Sequence, residues 1–161
     1  VIHNNLCKIL DTIRSRCIEF KFFFTLFEKK KILESITKQY EDDLNVKNID
    51  EAFYFDTPGN IIKYLLILNK SNIDFSGDKL SSILHLVDQY KQKNDPQILT
   101  FISLLIEVFY YDLSIRNNKN LSLYSINKFK LLKQIDDMKK FNLDKKNLSV
   151  SIRDVLENAQ K

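Results

Sequence analysis

The chain has 161 residues, 44% hydrophobic and 29% charged, with only two glycines and two prolines, so there is material for a core and little turn chemistry, and a mostly helical soluble protein is expected. Its 25 basic and 21 acidic side chains leave a net charge of +4, too mild for a dedicated nucleic-acid arm, and the abundance of Leu, Ile, Phe and Tyr throughout excludes a disordered chain. Cys7 and Cys17 form no CxxC pair, which indicates neither a disulfide scaffold nor a zinc knuckle and fits a reducing cytosol.

In chain order, Val1-Ile2-His3-Asn4 reads as the end of a buried strand, and an abrupt start with neither methionine nor a signal-like apolar segment suggests a piece of a longer protein. Cys17-Ile18-Glu19-Phe20-Lys21-Phe22 alternates with strand period. Thr25-Leu26-Phe27-Glu28 has the form of a capping box, opening a helix with Leu26, Leu33, Ile36 and Tyr40 on one face. A short helix is expected near 49–55, and Thr57-Pro58, an N-cap followed by proline, launches another over 61–68. The polar stretch 69–77 is the best linker and is taken as a domain boundary.

Beyond it, Leu80, Ile83, Leu84, Val87 and Tyr90 recur at helical spacing, and Asp95-Pro96 caps a long apolar helix over 98–115. Its apolar run, 98–113, contains Glu107 and Asp112 and falls short of the roughly 20 residues that span a bilayer, so a buried bundle helix is expected and no membrane span. A turn at 117–120 leads to a helix carrying Leu131, Ile135 and Met138, and the last helix carries Leu148, Ile152, Val155, Leu156 and Ala159. Residues 78–161 therefore read as a helical bundle.

With Gly59 and Gly77 alone, neither GxxxxGK[ST] nor GxGxxG can be written, because such loops need glycines to wrap backbone amides around phosphate. His3 and His85 lack any nearby partner with ligand spacing and read as surface or packing residues. Glu41-Asp42-Asp43 and Asp136-Asp137 are adjacent carboxylates that do not share a helix face, and the lysine runs 29–31, 139–140 and 145–146 read as exposed faces. Against 21 lysines there are four arginines, two of which, Arg14 and Arg16, flank Ser15 before the strand-like segment. A guanidinium offers a planar donor fork suited to phosphate, but a cation at a helix C-terminus would also help the dipole, and the residues alone leave the two roles even.

The string Ile9-Leu10-Asp11-Thr12-Ile13-Arg14-Ser15-Arg16-Cys17 resembles the ILPTIRSRC signature that ends the nucleotide-binding domain of AAA+ clamp-loader subunits, with Ser15-Arg16-Cys17 its specific part and Asp11 in place of the proline. Asp56-Thr57-Pro58-Gly59-Asn60 resembles the GSPG turn of the delta-prime family of bacterial DNA polymerase III, and Leu143-Asp144-Lys145-Lys146 resembles that family's NLDRKQ. In ATP-hydrolysing gamma/tau subunits an arginine sensor occupies the position of Gly59, and Asn4 lies where active ATPases tend to have Thr or Ser.

The resemblance implies a mainly α chain: residues 1–22 the edge of the AAA+ core with a short strand, 23–70 a small helical lid, and 78–161 a collar that holds a pentameric loader together. It implies a cytoplasmic, non-hydrolysing stator that helps load the sliding clamp on primed DNA. Arg16 would act in trans as an arginine finger on a neighbour's ATP, and this chain would need no cofactor or metal and perform no chemistry alone. Its partners would be the gamma/tau and delta subunits, with the clamp and primer-template DNA met through the assembled complex and no membrane contact. The alternatives are an ATP-hydrolysing gamma/tau subunit and a helical scaffold or adaptor outside replication.

Overall fold

The computed structural model describes residues 10–18, 20, 23–38, 51–71, 73 and 78–159. Among these, the α-helices are α1 (Asp11–Arg14), α2 (Leu26–Thr37), α3 (Pro58–Ser71), α4 (Lys79–Lys93), α5 (Pro96–Arg116), α6 (Leu121–Phe141) and α7 (Lys145–Ala159), with 3₁₀ turns at Glu51–Phe55 and Asn118–Asn120. No strand occurs among the described residues. Of the strand expected over 17–22, Cys17, Ile18 and Phe20 are described, outside any strand and exposed, while 19, 21 and 22 lie outside the described residues; a strand exists only where a second one pairs with it. The reading of 1–4 also lies outside them.

Local chemistry sets where the helices start and stop. At α2, the Glu28 amide donates to Thr25 Oγ1 at 3.3 Å and the Thr25 amide to Glu28 Oε2 at 2.7 Å, a reciprocal capping box. Thr57 Oγ1 accepts from the Asn60 amide ahead of Pro58 at the head of α3. Asp78 accepts from the Leu80 and Ser81 amides at α4, and Asp95 accepts from the Gln97 amide beside Pro96 at α5. Helices α4 and α6 both stop on asparagines in the left-handed region, Asn94 at φ 54° and Asn142 at φ 48°, whose amides close on Tyr90 O and Met138 O at 2.9 Å.

Helices α4 to α7 form a four-helix bundle in which α4 packs on α5, α5 on α6, α6 on α7 and α7 back on α4. The connections at 94–95, 117–120 and 142–144 are short, which makes sequential helices antiparallel neighbours. Leu131, Ile135 and Met138 of α6 and Leu148, Ile152 and Leu156 of α7 are buried, and Val155 and Ala159 pack against that core. The central helix α5 buries nine residues from Ile98 to Tyr110 and leaves Thr100, Glu107 and Tyr111 outside. At 21 residues it is longer than the apolar run suggested, and by length and composition it passes for a membrane span; half of its most apolar window is buried inside the protein.

The smaller unit is built from α2, the 3₁₀ turn at 51–55 and α3, around Leu33, Phe53, Ile61, Tyr64, Leu65 and Leu68. Leu26, expected on the buried face, is 50% exposed because the chain enters α2 there and none of the described residues covers its first turn; Ile36 is half-buried, and Tyr40 lies outside the described residues. Lys29 Nζ donates to the carbonyls of Tyr54 and Asp56 at 2.8 and 3.1 Å, holding α2 to the turn that precedes α3. This unit joins the bundle where Tyr64 stacks on Phe101 of α5, with ring centroids 4.7 Å apart, and Phe53 meets the same ring edge-on at 5.7 Å. The buried residues of both units thus form one cluster. Helix α3 continues through 69–71, which were expected to be linker; Asn69, Lys70 and Ser71 are polar without being helix breakers, and Ser71 Oγ bonds Gln89 Oε1 of α4 at 2.8 Å.

Candidate functional site

Arg14 ends the single turn of α1, Ser15 is its C-cap, and Arg16 follows it. The turn is closed by the Ser15 amide on Asp11 O at 2.9 Å, the Arg16 amide on Ile13 O at 3.0 Å and Ser15 Oγ on Thr12 O at 3.2 Å. The serine between the two arginines thus caps the backbone, and the residues from Leu10 to Ile18 are all exposed. The Arg16 guanidinium has no hydrogen-bond or ion-pair partner among the described residues. Being past the cap, it is poorly placed to stabilise a one-turn dipole, a role better suited to Arg14 in the last turn. Asp11 takes the first helical position, where an acid and a proline are both accommodated.

The second segment, Asp56 to Asn60, is organised by a carboxylate. Asp56 Oδ1 accepts from the Thr57 amide at 2.6 Å and from Asn60 Nδ2 at 2.9 Å, and Asp56 Oδ2 accepts from the Tyr64 hydroxyl at 2.5 Å. Burial, reinforced by the hydrogen bond to Asp56 and its charge, raises the Tyr64 hydroxyl well above the ordinary tyrosine range. Gly59, the second residue of α3, faces open space: a Cβ built there meets nothing within 4 Å. The sequence reading missed the Asp56–Tyr64 and Lys29 contacts; the i, i+8 spacing of Asp56 and Tyr64 on either side of a helix start is the only trace of the first.

His85 is exposed on α4 with Nε2 at 3.2 Å from Gln89 Nε2, one turn along. Cys17 is free and exposed. Asp136 pairs with Lys140 at 2.6 Å on the exposed face of α6. His3, Asn4, Cys7, residues 41–43 and Gly77 lie outside the described residues. No group of three or more His, Cys, Asp or Glu among the described residues could hold a metal ion. The structure does not bring Arg16 together with the Asp56 segment in any contact among the described residues; each stands in its own unit. No protein-family model, curated sequence or solved structure matches the chain.

Proposed function

We propose that this chain is the lid-and-collar part of a clamp-loader subunit of the delta-prime type. In this reading a cytoplasmic stator assembles with gamma/tau and delta subunits to place the sliding clamp on primed DNA, and Arg16 reaches the ATP held by a neighbouring subunit. The observation that carries the reading is Arg16 itself: the arginine of the Ser15-Arg16-Cys17 string is exposed, past the helix cap and without an internal partner among the described residues. A small helical unit followed by a four-helix bundle accords with a lid and a collar. Exposed Tyr111 and Ile115 on α5 and Ile126 and Phe129 on α6 supply apolar surface for subunit contacts. Gly59, where a sensor arginine would stand in an ATP-hydrolysing subunit, favours the non-hydrolysing member.

A guanidinium supplied in trans stabilises the charge that builds on the transferred phosphoryl group, an effect of about 10³ to 10⁵ in rate at the site it serves. With several sites in one loader the loss of total turnover is smaller. In a loader reconstituted with the full-length subunit, Arg16→Ala and Arg16→Lys are expected to slow ATP hydrolysis and clamp loading while the complex still co-purifies, and Arg14→Ala to do less. Unchanged turnover and loading in Arg16→Ala would return Arg16 to a surface cation.

A further inference from the structure

Helices α5 and α6 have 21 residues each, whereas α4 and α7 have 15. At 1.5 Å per residue the two lengths differ by about 9 Å, and two side-chain contacts show at which end the excess lies. Lys79, the first residue of α4, pairs with Asp112 at 2.5 Å, so the last turn of α5, from Leu113 to Arg116, runs past the start of α4. Ser151 Oγ bonds Gln134 Oε1 at 2.8 Å, which sets α7 and α6 level there. Counted in opposite directions from that pair, Ala159 at the end of α7 is level with Ile126, and the first turn of α6 continues beyond it.

The α5–α6 hairpin therefore projects from one end of the bundle, and among the described residues the ends of α4 and α7 form a step beside it. The projection is internally tied. The Asn117 amide closes α5 on Leu113 O at 2.9 Å, Asn117 Oδ1 accepts from the Lys119 amide at 3.2 Å, and the Tyr110 and Tyr124 rings meet at its base with centroids 6.2 Å apart. Its outside is apolar: Ile115, Leu121 and Leu123 on the hairpin and Tyr111 and Ile126 at its base are 48 to 64% exposed. Charge divides along the same line. No acidic residue occurs between Asp112 and Asp136, and the tip carries Arg116 and Lys119. The step ends on the C-terminus of α7, where Asp154 and Glu157 are exposed and the last turn has no basic residue. The carbonyl end of that helix adds to the negative field, while Arg153 is engaged with Asp88 of α4 at 3.4 Å.

We propose that a second copy of this chain docks end to end here about a two-fold axis, the projecting hairpin of each copy filling the step of the other. Shape and charge both select a copy over an unrelated partner. Projection and step have the same height, because a single difference in helix length creates both. The tip is basic and the step acidic, so the two-fold brings Arg116 and Lys119 of each copy to Asp154 and Glu157 of the other, while the apolar residues of the two tips and bases cover one another. A surface that complements itself in this way is what an isologous contact requires. The inference does not rest on the clamp-loader reading: it uses side chains of the bundle alone and its test contains no other subunit, so either can fail without the other.

The test is analytical ultracentrifugation of the whole chain over a concentration series, with circular dichroism to verify that each variant is folded. A contact at the small end of interface sizes predicts a dimer with a dissociation constant on the order of 10 µM. Arg116→Glu and Glu157→Lys, both at exposed positions, set like charges against each other at both contacts of the two-fold pair, and each is expected to weaken the dimer about 10-fold. Mixed in equal amounts, these two variants can form a heterodimer in which both contacts again join opposite charges, and its affinity is expected within about 3-fold of the parent. Ile115→Ser/Leu123→Ser should weaken the dimer by about 10-fold or more, whereas Phe129→Ser, exposed on the part of α6 that α7 flanks, should change it less than about 2-fold. A parent chain that stays monomeric up to about 200 µM, a mixture that does not recover the dimer, or a loss in Phe129→Ser equal to that at the tip would each overturn the proposal, the first by leaving the projection to a different protein.

Discussion

Tyr64 and Tyr110 are both buried, at 2% exposure each, and their hydroxyls meet opposite fates. That of Tyr64 donates to Asp56, while that of Tyr110 has no partner among the described residues. A hydrogen bond to a charged acceptor contributes about 1.5–3 kcal/mol, and an unsatisfied buried hydroxyl contributes a penalty instead. Tyr64→Phe is therefore expected to cost about 1–3 kcal/mol in urea unfolding, and Tyr110→Phe to be neutral or stabilising; a larger loss for Tyr110→Phe would contradict the assignment. Burial, with the Tyr124 hydroxyl adding a smaller share, pushes the Tyr110 hydroxyl up to about 12 from its ordinary value of 10.0. In the unfolded chain the group loses its proton near pH 10, whereas the folded chain retains it, so stability is intact below pH 10 and falls between pH 10 and 12, by up to about 3 kcal/mol at about 1.4 kcal/mol per pH unit. Urea midpoints from pH 8 to 11.5 should fall less steeply in Tyr110→Phe than in the parent, and parallel curves would refute this. At Gly59 the open space invites a methyl group: Gly59→Ala should stabilise α3 by about 0.4–1 kcal/mol, read as a rise in melting temperature.

At the scale of elements, the helix boundaries were legible because capping is decided within four residues. Thr25 to Glu28, Thr57-Pro58 and Asp95-Pro96 each start a helix where the sequence places one. Removing a cap side chain of this kind costs about 0.5–2 kcal/mol, so Asp95→Ala should lower the stability of the bundle by that amount, whereas Asn142→Gly, which relieves a left-handed non-glycine residue, should be neutral or stabilising. Chemical denaturation of both variants checks the sign. The linker over 69–77 was legible only in part, because polarity marks exposure and does not end a helix: α3 runs on through Ser71. The turn of α1 went unread for the complementary reason, as a single turn carries too few residues to show a period.

For the molecule as a whole, Phe101 is the residue on which the two units meet. It is fully buried, stacked on Tyr64 and edge-on to Phe53. Phe101→Ala should cost about 3–5 kcal/mol through the cavity it leaves. In hydrogen exchange the amides of α3 should lose more protection than those of α7, which packs on α4 and α6. Equal loss of protection in α3 and α7 would mean that the small unit is held to the bundle by something other than these rings.

The sequence by itself determined the helical class, the caps at Thr25, Thr57 and Asp95, and the apolar faces of α4, α6 and α7, because each depends on residue type or on spacing within one or two turns. Only the tertiary structure decided that Tyr64 and Phe101 stack, that Lys29 holds the carbonyls of Tyr54 and Asp56, that Tyr111, Ile126 and Phe129 remain outside, and that Lys91 meets Lys145 and Lys146 at one corner. These pairings join residues 25 to 55 positions apart. Periodicity reports which side of a helix is apolar, but not which neighbour that side will meet, and that choice is made by the joint packing of several helices around a single core.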